Sequence, residues 1–207
     1  HVLEPILERQ FAAHSYGFRP NRGCKDALRR VDQFVKAGYK YTVDVDLKSY
    51  FDTIPHDRLI QELRKYVADN QLIDLVKKFL NAGIFDGLEH WTPESGAPQG
   101  AIISPLLSNL YLNELDHQMA NAGFEMTRYA DDLVIQCRTR AEAETARAMV
   151  AAWTAEHGLI LHPTKTRIVH VDEEGFEFLG YRFIKHRRFP RKKSLTKFKD
   201  AIRGKTR

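Results

Sequence analysis

Cysteine is scarce in this sequence: Cys24 and Cys137 are the only two among 207 residues. Two thiols cannot build a disulfide framework, and no Cys/His cluster has zinc-ligand spacing, so a reducing compartment is expected. Long apolar runs are missing as well. Nothing approaches the roughly 18 residues of a membrane span, and no signal peptide is visible. There is no internal repeat and no low-complexity linker ahead of the C-terminal segment. Hydrophobic residues at 43% and charged residues at 29% are the proportions of a chain that folds, which excludes a disordered one. One domain is expected at this length, two at most. The chain opens at His1 rather than methionine, so a piece of a longer protein is expected.

A net positive charge is missing from most of the chain. From Lys185 onward there are 11 Lys/Arg and one acid, Asp200; the preceding residues hold 21 bases against 26 acids. The overall net charge of +5 therefore belongs to the tail. Such a block reads as a solvated extension or as a contact for an anionic partner, nucleic acid first.

What is present is clear periodicity. Residues 23–37 place Ala27, Leu28, Val31, Phe34 and Val35 on one helical face, with Gly38 as the stop. Residues 39–46 then alternate, with Tyr39, Tyr41, Val43 and Val45 on one side and Lys40, Thr42, Asp44 and Asp46 on the other. Helices are expected from Pro55 to about 68, over about 71–82, and from an N-cap at Ser104 to about 121. Strands at 124–129 and 133–137 flank a tight turn at Ala130, Asp131 and Asp132. A helix over 140–157 and short strands at 159–161, 167–171 and 176–184 complete the pattern. The order fits an α+β fold: an antiparallel sheet of split β-α-β-β-α-β type backed by helices. That arrangement brings Asp46 to Asp131 and Asp132, 85 residues further along the chain.

Carboxylates that converge repel one another unless a cation sits between them, and a hard divalent ion is the usual solution. Two such ions about 3.5–4 Å apart hold the attacking and leaving oxygens of a phosphoryl transfer. An Asp-Asp pair in a turn is otherwise ordinary turn chemistry. Here the setting argues for more, because the pair abuts an apolar strand and a second acid ends the neighbouring one.

Six motifs in order carry a resemblance over about residues 3–183. They are Ser15-Tyr-Gly-Phe-Arg-Pro-Asn-Arg22, Asp46-Leu-Lys-Ser-Tyr-Phe-Asp52, Ala97-Pro-Gln-Gly100 leading to Ser104-Pro-Leu, Tyr129-Ala-Asp-Asp132, Leu161-His-Pro-Thr-Lys-Thr166 and Phe178-Leu-Gly-Tyr181. Together they resemble the palm region of reverse transcriptases encoded by group II introns, which also act as splicing maturases. The resemblance implies a polymerase palm over 39–184, the end of a fingers subdomain over 1–38, and a basic segment over 185–207 leading toward a thumb.

It also implies roles. Asp46, Asp131 and Asp132 would ligate Mg²⁺, with Mn²⁺ as a substitute, and Asp132 would be the less direct ligand. Lys165 would support the departing pyrophosphate. Phe51 would sit under the incoming sugar and select deoxynucleotides, with Gln99 and Gly100 beside the nucleotide and templating base. Arg19 and Arg22 would contact phosphates, and Phe178, Leu179, Gly180 and Tyr181 would grip the primer. The implied partners are an RNA template, a DNA primer, dNTP and group II intron RNA, in a bacterial cytoplasm and without a membrane. Three alternatives stay open: a polymerase, an RNA-binding maturase without polymerase activity, and a CRISPR-associated reverse transcriptase of the same lineage. A fragment with only the end of the fingers and no thumb is expected to polymerise weakly by itself.

Overall fold

Alternation along one strand sets the architecture. In the computed structural model, which describes residues 2–81, 84–86, 89–91, 95, 96 and 102–205, the first helices are α1 (Glu4–Leu7) and α2 (Cys24–Lys36), followed by β1 (Tyr41–Asp46). Three helices come next: α3 (Tyr50–Thr53), α4 (His56–Arg64) and α5 (Asn70–Leu80). A small ribbon of β2 (Ile84–Asp86) and β3 (Glu89–Trp91) leads to the long helix α6 (Ser104–Asn121). Then come β4 (Glu125–Tyr129), β5 (Asp132–Cys137), α7 (Arg140–Glu156) and β6 (Arg167–His170). The C-terminal part holds β7 (Phe176–Phe178), β8 (Tyr181–Ile184), β9 (Arg187–Pro190) and α8 (Lys192–Lys205).

The main sheet runs β4-β5-β1-β6 with every neighbour antiparallel. This is the strand order of a split β-α-β-β-α-β fold, as the sequence pattern leads one to expect. Val43, Val45, Leu133, Ile135 and Met126 are buried on one face, in a single core with Leu107, Leu110 and Leu115 of α6 and Ala146, Val150 and Trp153 of α7. Each such aliphatic side chain contributes about 1.5–3 kcal/mol. On the other face Val134 and Val169 join Leu28, Val31 and Val35 of α2 and the aromatic residues Phe176, Phe178 and Phe183. That second cover stops short of the Asp46–Asp132 end of the sheet, where a cleft remains.

Helix α6 is buried nearly all round, so it needs polar partners on one stripe. Asn113 accepts from the Ala12 amide at 3.0 Å and donates to the Gln10 carbonyl at 3.0 Å. Asn109 donates to the Gly17 carbonyl at 2.7 Å, and Asp116 pairs with Arg128. These anchors lay residues 10–17 across the helix. The same strap runs on beside β4, where the Tyr16 amide donates to the Arg128 carbonyl at 2.9 Å and the Arg128 amide to the His14 carbonyl at 3.0 Å.

Several local expectations shift. Pro55 is the N-cap of α4 rather than its first residue, and Ile103, not Ser104, caps α6. Residues 159–161 form no strand; Leu161 makes a single bridge to Leu47. The basic tail is ordered as β9, the third strand of a β7-β8-β9 sheet, and α8. Among the described residues no helix is long and apolar enough to cross a membrane.

Candidate active site

Asp46 is the last residue of β1 and Asp132 the first of β5, and the antiparallel register sets them directly opposite. Tyr129 pairs with Asp132, so Ala130 and Asp131 form the two-residue turn between β4 and β5. Ala130 takes φ +57°, a left-handed conformation that L-residues seldom adopt. Asp44 lies two residues before Asp46, on the same face of β1.

The loop after α7 is tied to the end of β1. The His162 amide donates to the Asp46 carbonyl at 2.8 Å, and Thr166 Oγ1 accepts from the Asp46 amide at 3.3 Å. This brings Lys165 Nζ to 3.2 Å from Asp46 Oδ2. Across the cleft, Leu179 (φ +46°) and Gly180 (φ +80°) form the two-residue turn between β7 and β8. Two positive φ angles are what a right-twisted hairpin with such a turn requires. The Leu179 backbone amide faces the Asp132 carboxylate closely enough to oppose the rise in its pKa.

The resulting cleft has a volume of about 730 Å³. Asp44, Asp46, Asp132 and Glu177 supply its acids; Lys165, Arg167 and Arg191 supply cations. Arg167 Nε stands 3.6 Å from Asp44 and an Arg191 guanidinium nitrogen 3.7 Å from Glu177. Asp131 stands at the turn, outside the cleft lining but electrostatically coupled to Asp46.

Burial pushes the Asp132 carboxyl up to about 6; Asp44, Asp131 and Asp46 crowd it further, while the Leu179 amide opposes them. Burial likewise raises Asp44 to about 6, with Arg167 opposing and Asp46 and Glu177 adding to the rise. Asp131 is raised by burial and by Asp46. A carboxyl whose pKa is raised holds its proton more tightly in the folded chain. Between about pH 4 and about pH 6 these carboxyls therefore bind more protons in the folded chain than in the unfolded one, and their contribution to stability falls as pH rises through that window. Denaturation of wild type and Asp132→Asn at pH 4, 5, 6 and 7 should show a flatter decline in the variant. The same slope in both would contradict the crowding.

The donor chemistry suits a hard divalent ion, since the convergent groups are carboxylate oxygens. Among the described residues no three His, Cys, Asp or Glu side chains form a ready-made cage. Mg²⁺ commonly takes one or two carboxylates and completes its shell with water and substrate phosphates, so an incomplete protein cage fits it.

Other expected positions fall differently. Phe51 is half-buried on α3, packed on the main core with its ring 5.5 Å from that of Tyr50, and does not line the cleft. Gln99 and Gly100 lie outside the described residues. Phe178, though buried, lines the cleft together with Leu179 and Gly180, whereas Tyr181 packs against the second core and does not line it.

Arg19 requires a correction. It is buried, pairs with Glu8 at 2.7 Å, and donates to the carbonyls of Ala12 at 2.6 Å and Ser15 at 2.8 Å. Its donors are spent on folding the strap, which leaves no fork for a phosphate. Arg22 also turns back, donating to the Ala13 carbonyl and lying over the Tyr16 ring. Asp44 is a site residue that the motifs do not single out, although the alternation of β1 already puts it on the face of Asp46. Arg167, Glu177 and Arg191 give no comparable signal.

The family model for reverse transcriptase (RNA-dependent DNA polymerase) matches residues 1–183. The chain is 34% identical to Protein YkfC of Escherichia coli K12, over 90% of this chain and 59% of that protein. It is 41% identical to the group II intron-encoded protein LtrA of Lactococcus lactis, over 56% of this chain and 19% of that protein. The chain thus spans less than two thirds of either relative. Among solved structures, telomerase from Candida tropicalis in complex with a fragment of telomeric RNA superposes with a TM-score of 0.69 at 11% identity, over 87% of this chain and 35% of that one. At that identity the likeness speaks for the fold.

Proposed function

This chain belongs to the reverse transcriptase (RNA-dependent DNA polymerase) family, and on that premise we propose that it adds deoxynucleotides to a DNA primer on an RNA template. The observation that supports this most is the register that sets Asp46 opposite Asp132, with Asp131 in the turn alongside. Grouped negative charge offers nothing to simple RNA binding, which is driven by cations. It has a use where divalent ions must be held.

In this reading Asp46 and Asp131 are the principal ligands of Mg²⁺, for which Mn²⁺ can substitute, and Asp132 supports them from the cleft floor. When bound, such ions lower the pKa of the attacking hydroxyl and neutralise charge on the transferring phosphate. Lys165, 3.2 Å from Asp46, offsets the acid cluster before substrate arrives and afterwards supports the departing pyrophosphate. The Leu179–Gly180 turn holds the primer end beside Asp132, with Phe178 packed behind it and Tyr181 opposite. Gln99 and Gly100 contact the nucleotide and templating base.

Phe51 is the group proposed to exclude a 2′-hydroxyl. Phe51→Ala should raise ribonucleotide incorporation relative to deoxynucleotide by at least about tenfold, measured as the ratio of kcat/KM values, since a lost steric block of a few kcal/mol is worth that much. Unchanged discrimination would move the gate to another residue.

Group II intron RNA is the proposed bound RNA, and a bacterial cytoplasm the proposed setting. The ordered basic surface of β9 and α8 is the proposed contact for nucleic-acid backbone. Changing Lys192, Lys193, Lys197 and Lys199 to Gln should weaken RNA binding and reduce the slope of log K against log salt by up to about 3. A slope that does not change would remove this surface from the contact.

Primer extension with Mg²⁺ on an RNA template, by the chain in its full natural length, tests the whole reading. Extension that requires both RNA template and Mg²⁺ supports it. Tight binding of intron RNA without any extension would replace it with the maturase reading.

A further inference from the structure

Behind the catalytic turn, on the side away from the cleft, lies a polar cluster that plays no direct part in that chemistry. The side chains of Arg128 and Asp116 are both fully buried, with Arg128 Nε 2.8 Å from Asp116 Oδ1 and an Nη–Oδ2 distance of 2.5 Å. The other arm of the guanidinium donates to Asn109 Oδ1 at 2.8 Å and to the Ala130 carbonyl at 2.9 Å. Asn109 passes the chain of bonds on, donating to the Gly17 carbonyl at 2.7 Å. Both faces of its amide are thereby assigned: arginine needs an acceptor and the carbonyl needs a donor. Gly17 closes the loop by contact. A Cβ there would lie 2.4 Å from the Ala130 amide nitrogen and 3.0 Å from the Tyr129 carbonyl carbon.

A buried ion pair is weak support for a fold, because apolar residues of the same volume often serve as well or better. Direction is what apolar residues cannot supply. Arginine's planar fork takes Asp116 on one edge and, on the other, reaches the carbonyl of a residue held at positive φ. The strap residue Gly17 then allows backbone to sit directly on the turn from outside the sheet.

We propose that Arg128, Asp116, Asn109 and Gly17 are positioning residues that clamp the Ala130–Asp131 turn from behind, holding Asp131 and Asp132 convergent with Asp46 for divalent-ion binding. The proposal rests on the polymerase reading for its consequence, but on the carboxylates alone for its first effect.

Asn109→Asp and Gly17→Ala disturb the clamp from two sides. The first keeps an acceptor for Arg128 but turns an oxygen toward the Gly17 carbonyl; the second pushes on the turn itself. Mn²⁺ affinity, read by the loss of free-ion electron paramagnetic resonance signal, should weaken about tenfold in each, as is typical when support behind metal ligands is lost. The Mg²⁺ concentration for half-maximal incorporation should rise by a similar factor, with cooperative unfolding retained and RNA affinity within about twofold of wild type. Arg128→Lys, which keeps the charge but not the fork, should behave likewise.

Folded variants with wild-type Mn²⁺ affinity and Mg²⁺ requirement would overturn the proposal. So would activity lost only in proportion to unfolded protein, the signature of a merely structural role. A wild type that binds Mn²⁺ but extends no primer would defeat the polymerase reading and leave the clamp to be judged on Mn²⁺ affinity. A wild type that binds no Mn²⁺ would overturn both.

Discussion

Asp131→Asn is expected to lower nucleotide incorporation by at least about 10³-fold, because loss of a proposed metal ligand would remove several kcal/mol of charge stabilisation in the transition state. RNA affinity should move less than about twofold, since the proposed phosphate contacts come from the cations of β9 and α8. Loss of the fold would not be the cause. Burial and Asp46 already raise the Asp131 pKa, so its ionised form is under repulsion in the metal-free protein. Neutral asparagine relieves that repulsion at pH 7, and the variant should be at least as stable as wild type. Single-nucleotide incorporation, RNA binding and thermal denaturation, measured on one preparation, separate these effects. Incorporation retained within about tenfold, or activity and RNA affinity lost together, would contradict the division of labour between turn and basic surface.

Asp116→Ala should destabilise the fold far more than Asp131→Asn or Asn109→Asp. It leaves the Arg128 guanidinium buried without its ion-pair partner, where both side chains have 0% exposure. Breaking a buried pair from one side costs about 3–5 kcal/mol. Against a total of about 5–15 kcal/mol for an ordinary domain, that is a large fraction. Asp116→Leu combined with Arg128→Met should recover much of the loss, because the desolvation of both charges is then avoided. The recovered protein should nevertheless remain impaired in metal binding if the clamp acts as described. Denaturant titration gives the stabilities. A loss under about 1 kcal/mol for Asp116→Ala would mean that water or a rearranged side chain reaches Arg128.

These two changes lie on opposite sides of what can be read from the sequence. Asp46, Asp131 and Asp132 are legible because strand periodicity is local: Tyr41, Val43 and Val45 alternate with Thr42, Asp44 and Asp46, and a tight turn separates two apolar strands. The antiparallel order then determines the meeting of the acids. The Arg128 cluster is not legible. Its partners come from α6 and from the 10–17 strap, and a helix with buried Asn109, Asn113 and Asp116 shows no simple apolar stripe.

Arg19 misleads for the same reason. Its motif suggests phosphate, but its true partners are Glu8 and two backbone carbonyls, which no side-chain pattern announces. In the tail the charge run hides a helical signal. Leu195, Phe198 and Ile202 fall at spacings of three and four, the stripe of an amphipathic helix, and all three are exposed on α8. The cap shifts at Pro55 and Ile103 are one-residue displacements of boundaries that propensity alone places loosely.

The central claim is that a divalent ion sits between the end of β1 and the β4–β5 turn. Replacing Mg²⁺ with Fe²⁺ and generating hydroxyl radicals at the bound ion cuts the backbone where the ion resides. With primer, RNA template and dNTP present, cleavage should concentrate near residues 46 and 130–132, be competed by excess Mg²⁺, and disappear in Asp131→Asn. Cuts elsewhere in the chain, or cuts at these positions that persist in the variant, would contradict it.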